Sequence, residues 1–214
     1  MATPAPARIL DAQYLEKAIR YPQYVEMVEN LLAAGKATGG DHPEIYLHYT
    51  KMNLQRMHRI DKTIELLPTA KEQILAITRP QTWLVITEGW CGDAAQSMPV
   101  MWAFAQLNIL IEVRVLLRDE NPELMDQYLT HGVARSIPKL VAVDPLTRQE
   151  LFVWGPRPAA LQEAFYRMRS ENIPYDDIKE KLQRWYNTDK TATIQTEIAS
   201  LAFGVAAATG ATIE

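Results

Sequence analysis

From Arg8 to about Ala34 apolar residues recur at helical spacing, at Ile9, Ala12, Leu15 and Ile19 and then at Tyr24, Val25, Val28, Leu31 and Leu32. Tyr21-Pro22 divides the run into two helices, because the residue before a proline is steered out of helical backbone. Gly35 to Gly40 reads as a loop. Asp41-His42-Pro43-Glu44 has the form of a helix start, with Asp41 as cap, Pro43 in the first turn and Glu44 reaching back, and the helix should run to about Arg59. Ile60 to Leu67 fits neither period, Pro68 closes it, and Thr69 to Glu72 repeats the capping-box pattern ahead of a helix to about Ile77. The first third therefore reads as helix throughout.

At Thr82 the period changes. Strand, helix, strand, helix, strand, strand, helix follow in order, which predicts an α/β fold with a sheet between helical layers. Ile111 to Leu117 is apolar enough for a buried strand, Asn121-Pro122-Glu123 caps the next helix, and Pro138 to Val143 is the third strand. Asp144 to Thr147 forms a turn, so Glu150 to Trp154 returns antiparallel, and Gly155 to Pro158 ends that strand and starts a helix to about Arg169. Pro174 opens a charged helix to about Tyr186, and Lys190 to Ile213 is helix-compatible, with Ile194, Ile198, Leu201 and Val205 along one face. That face must pack on the domain or on a second subunit, so a homodimer through the C-terminal helix is one option. Strand order and handedness stay open at this stage.

Composition narrows the function classes. A chain of 214 residues can bury an ample core without disulfides. With one cysteine, any disulfide must join another molecule, which fits a reducing compartment and makes the cytoplasm the expected location. The N-terminal residues lack a signal-peptide apolar region, and no apolar run reaches membrane-spanning length. A net charge of −4 with interspersed signs gives no nucleic-acid footprint. His42, His48, His58 and His131 show no metal-ligand spacing, and no phosphate-binding glycine loop or nucleophile elbow is present, so no cofactor or metal is expected.

The stretch from Thr82 to Pro99 holds that cysteine, Cys91, at a strand–loop–helix junction. A thiol there faces the unpaired N–H groups and positive end of the helix, which favour a thiolate; the alternative is a small, inert, buried residue. Asp93 opposes the thiolate by its charge and reads either as a helix-capping acid or as a proton shuttle for Cys91. Glu88 and Gln96 read as solvated polar neighbours, and Arg114, Arg118 and Lys139 as solvated surface or a small anion site. Trp90 either shapes a groove beside the thiol or packs in the core.

Trp90-Cys91-Gly92 resembles the active-site segment of the thioredoxin family, and Pro99 stands where that family carries a helix-kinking proline. His131-Gly132-Val133 with Arg135-Ser136-Ile137-Pro138 is similar to the family's approach to its cis-proline, which sits against the active-site cysteine. The resemblance covers about Thr82 to Arg169. It implies a thioredoxin-like fold with an N-terminal helical extension over 1–78, the thioredoxin-like domain over 79–170 and additional C-terminal helices over 171–214. It also implies a catalytic role for Cys91, with Asp93 beside it, and a substrate groove along Trp90, Gly92, Ile137 and Pro138. Two departures weigh on it. The family's resolving cysteine falls on Ala94 and its buried strand acid on Val85, so an adduct on Cys91 would need an external thiol for release. Trp-Cys-Gly-Asp-Ala-Ala-Gln, Arg-Asp-Glu-Asn and Ser-Ile-Pro-Lys further resemble a bacterial branch of thioredoxin-like proteins. The expected function is single-cysteine thiol–disulfide exchange with a protein disulfide or small thiol. The alternatives are a redox-inactive protein-binding module and a scaffold in which the helical first third does the work.

Overall fold

The computed structural model describes residues 8–40 and 44–210, the last four of these by backbone alone. The first segment alternates more than its periodicity predicts. α1 (Ala12–Lys17) is capped by Asp11, whose carboxylate accepts the Gln13 N–H at 3.1 Å, and β1 (Ile19–Arg20) follows before α2 (Tyr21–Ala33). The expectation of helix throughout the first third is thus corrected: Ile19 and Arg20 pair antiparallel with Val115 and Arg114 and extend the sheet. A two-residue strand is too short to have its own period, so only its partner reveals it. Pro22 lies in the first turn of α2, where its missing N–H costs nothing.

α3 spans Glu44–Thr63; the expected start at Asp41, His42 and Pro43 lies outside the described residues. The stretch from Ile60, which fits neither period, continues α3 to Thr63. α4 (Pro68–Leu75) starts on Pro68 rather than after it, with Leu67 as its cap, so the Thr69–Glu72 capping box does not form. β2 (Gln81–Thr87), α5 (Ala94–Leu107) and β3 (Ile111–Leu117) come next. α6 (Pro122–Met125) runs into a short 3-10 turn, then β4 (Lys139–Val143), β5 (Glu150–Trp154), α7 (Ala159–Ser170), α8 (Tyr175–Asp189) and α9 (Ala192–Gly210) complete the chain.

The five strands lie in the order β1-β3-β2-β4-β5. β2 and β3 are parallel, with Val85 opposite Val115; β4 and β5 add antiparallel. All seven residues of β2 are buried, as a central strand covered on both faces requires. Its Trp83 packs edge-on against Phe104 of α5 and Phe152 of β5, 6.4 and 5.9 Å between ring centroids. α9 closes the core. Ile194, Ile198 and Ala202 are fully buried on its inner face, Leu201 is turned partly outward, and Gln81 donates to the Ala202 carbonyl at 3.2 Å. The expected apolar face of the last helix is therefore used within the chain, rotated by one residue at its far end. Among the described residues no helix is long and apolar enough to cross a membrane.

Candidate functional site

β2 delivers the chain into Glu88-Gly89-Trp90-Cys91-Gly92-Asp93, and α5 begins at Ala94. This loop is held by the helices that precede the sheet. A Cβ on Gly89 would lie 3.3 Å from Thr50 Cγ2 and 3.4 Å from Val28 Cγ2, so α2 and α3 press directly on it. The Gly89 N–H donates to Thr38 Oγ1 at 2.9 Å, and Asn53 Nδ2 donates to the Gly89 carbonyl at 3.2 Å.

Cys91 Sγ accepts the Ala94 N–H at 3.4 Å and lies 3.3 Å from the Ile137 carbonyl, to which the thiol donates. The Ile137–Pro138 peptide bond is cis, and both residues are buried. Cys91 is itself only 7% exposed. Burial, and after it the charge of Asp93, push the thiol up to about 12, against the pull of the Ala94 N–H and Arg157. At neutral pH the sulfur is a neutral thiol that donates its proton to a carbonyl.

Asp93 occupies the cap position of α5, yet its side chain makes no capping bond. It pairs with Arg157 Nη2 at 2.7 Å and accepts the Tyr186 hydroxyl at 2.9 Å. The capping reading is thereby overturned: a buried guanidinium and a phenol offer the carboxylate more than the helix amides do. Burial raises the Asp93 carboxyl above its ordinary range while Arg157 and Tyr186 pull it back. Arg157 also donates to Gln162 at 3.1 Å and lies over the Phe165 ring at 4.4 Å. Burial works against its charge, and Asp93, joined by Tyr186 and Cys91, more than offsets that.

Comparison with known proteins bears on this arrangement. The thioredoxin family matches residues 39–179. The chain belongs to the thioredoxin family. The match begins beside Thr38 and ends within α8, so it includes α3 and α4 as well as strands β2 to β5, and leaves out β1. No curated protein matches this chain. Among solved structures, an HIV epitope scaffold aligns with a TM-score of 0.60 at 14% identity, over 90% of this chain and 97% of its own. A Pseudomonas aeruginosa protein of unknown function aligns with a TM-score of 0.59 at 15% identity, over 90% of this chain and 96% of its own. These likenesses speak for the fold.

Within this thioredoxin fold Cys91 meets Ile137, Pro138 follows it buried, and Gly92 is exposed. Trp90 is half-buried; its ring lies 4.9 Å from Tyr46 and under the Arg118 guanidinium at 4.8 Å. Glu88 is not solvated. It is fully buried, accepts the Asp119 N–H at 2.9 Å and is also bonded by the Thr38 hydroxyl. Burial holds its carboxyl at about 7. Gln96 is buried too, donating to Gln183 at 3.3 Å. Lys139 is 6% exposed rather than solvated, donates to the Gly155 carbonyl at 3.0 Å, and is held down at about 8 by burial. Arg157 and Tyr186 had no local signal, since they arrive from 64 and 93 residues beyond Asp93. Among the described residues no three of His, Cys, Asp and Glu gather to hold a metal ion.

Proposed function

We propose that the protein is a thiol–disulfide redox protein that uses Cys91 alone and depends on an external thiol to complete its cycle, as in the single-cysteine Trp-Cys-Gly-Asp-Ala branch it resembles. The observation that supports this best is the setting of Sγ, between the first amide of a 14-residue helix and the Ile137 carbonyl. The positive helix end favours a thiolate as it forms, and the backbone at Ile137-Pro138 offers an extended disulfide-bearing segment a place to pair.

The chemistry balances with two external thiols. Cys91 loses its proton to Asp93 or water, and its thiolate attacks one sulfur of a disulfide. That bond breaks, a mixed disulfide forms on Cys91, and the leaving thiolate takes up a proton. An external thiolate, a small thiol of the glutathione type in a reducing cytoplasm, then displaces the bound half, and a second completes its own disulfide. Ala94 leaves no internal route. Trp90, Gly92, Ile137 and Pro138 line the approach to the sulfur.

The burial of Cys91 favours a second reading, a redox-inactive thioredoxin-fold module that binds a protein segment without covalent chemistry. One experiment separates them. The protein is incubated with oxidised glutathione and its intact mass is measured beside that of Cys91→Ser. A single reducible glutathionyl adduct, absent in the variant, is expected; no adduct on a protein whose Cys91 alkylates in the native state would leave the binding module.

A further inference from the structure

α8 is bonded along one stripe to α3, α5 and Asp93, two residues from the thiol. Lys179, Gln183 and Tyr186, spaced one turn apart, meet Tyr49 of α3 at 2.7 Å, Gln96 of α5 at 3.3 Å and Asp93 at 2.9 Å. These contacts to the site are polar side-chain bonds, which water can replace at little cost. The apolar side of α8, Ile178 and Leu182, is buried, and the helix packs chiefly against α7.

Left-handed residues close the helix before α8 and α8 itself. Asn172 before it has φ +54°, and Lys190 and Thr191 after it have φ +49° and +70°. A left-handed, β-branched threonine is unfavourable, and loop and element-terminal residues such as these are where hinge motion is absorbed. The flanking elements are anchored: Glu197 of α9 accepts the Trp154 indole N–H at 2.7 Å and the Ala159 N–H at 2.8 Å, fixing the start of α7. Arg157 therefore belongs to the fixed side of the clasp and Tyr186 to the moving side.

We infer that α8 is a lid over Cys91, shut by the Asp93–Arg157–Tyr186 clasp and turning on Asn172 and Lys190–Thr191, so that the thiol reacts only when the helix lifts. Lifting removes Tyr186 and admits water, while Arg157 stays beside Asp93 and Cys91 and favours the thiolate. The inference rests on the thiol reading for what reacts, and on α8 for when.

The test is the rate at which iodoacetamide alkylates the native protein at urea concentrations below the unfolding transition. Lifting α8 exposes only its inner face, with Ile178, Leu182 and Tyr186, so the rate should rise with urea far less steeply than global unfolding does; a slope equal to that of global unfolding overturns the lid. Tyr186→Phe removes the hydroxyl that bonds Asp93, and Tyr49→Phe removes the acceptor at the far end of α8. The first should speed alkylation about tenfold and the second about threefold, as the loss of one hydrogen bond implies. The Tyr49 variant touches neither Asp93 nor Cys91, so a change in thiol electrostatics would not move it; unchanged rates in both variants overturn the proposal. The wild-type urea slope decides even where a variant fails to fold. Faster alkylation in the variants without any adduct from oxidised glutathione would sustain the lid and end the thiol–disulfide reading. An adduct formed with the urea slope of global unfolding would do the reverse.

Discussion

Glu88 shows how the site charges a cost to the fold. Its carboxyl titrates near 7 when buried, against about 4.3 in an unfolded chain. Its proton is therefore bound more tightly in the native state, and the stability this contributes is complete below about pH 4.3 and lost as pH rises through 7. Glu88→Gln keeps an acceptor for the Asp119 N–H and removes the charge. Urea melts at pH 5 and pH 8 should show the wild type losing about 2–3 kcal/mol more than the variant between them. Equal losses would mean that the carboxylate is solvated after all. Lys139 shifts in the opposite sense: held at about 8, it loses its proton sooner in the native state than in the unfolded chain. Neither burial was legible in the sequence, because a polar residue at the end of an apolar strand looks the same whether water or a distant helix covers it.

At the scale of elements, the turn from β5 into α7 is where the site is tightest. Gly155 has φ +106°, and a Cβ there would lie 2.3 Å from the Pro138 carbonyl oxygen. Only glycine lets the two backbones approach; the Gly155 carbonyl itself accepts from Lys139, and the turn leads into Arg157. Gly155→Ala is expected to cost at least about 3 kcal/mol in urea unfolding, because the clash is with backbone and cannot be relieved by a rotamer. A loss below about 1 kcal/mol would show that the turn shifts freely. The strands β2, β3, β4 and β5 and the helices α5 and α7 were readable from period and punctuation, since each has a long, clear pattern. β1 and the start of α4 were not. The first exists only through its pairing with β3, and the second depends on Pro68 opening a helix, where a proline after an aperiodic stretch equally suits a segment's end.

Over the whole molecule, the lone cysteine becomes meaningful through parts that lie far from it in the chain. α2 and α3 hold its loop, Ile137 just ahead of β4 supplies the carbonyl against which it rests, and α8 bonds Asp93 beside it. Sequence located Cys91, Asp93, Ile137 and Pro138, because these sit in short motifs at element junctions. Arg157 and Tyr186 carry no such motif, because they meet Asp93 only after the chain has folded. The resting thiol is withheld from solvent and kept neutral. The pH dependence of Cys91 alkylation tests it most directly, with the urea-unfolded chain as reference near about 8.5. The native rate should be far slower than the reference and keep climbing through that pH without levelling, as a thiol pushed up to about 12 requires. A native rate that levels off below about 8.5 would mean an exposed, ready thiolate and would contradict the closed site.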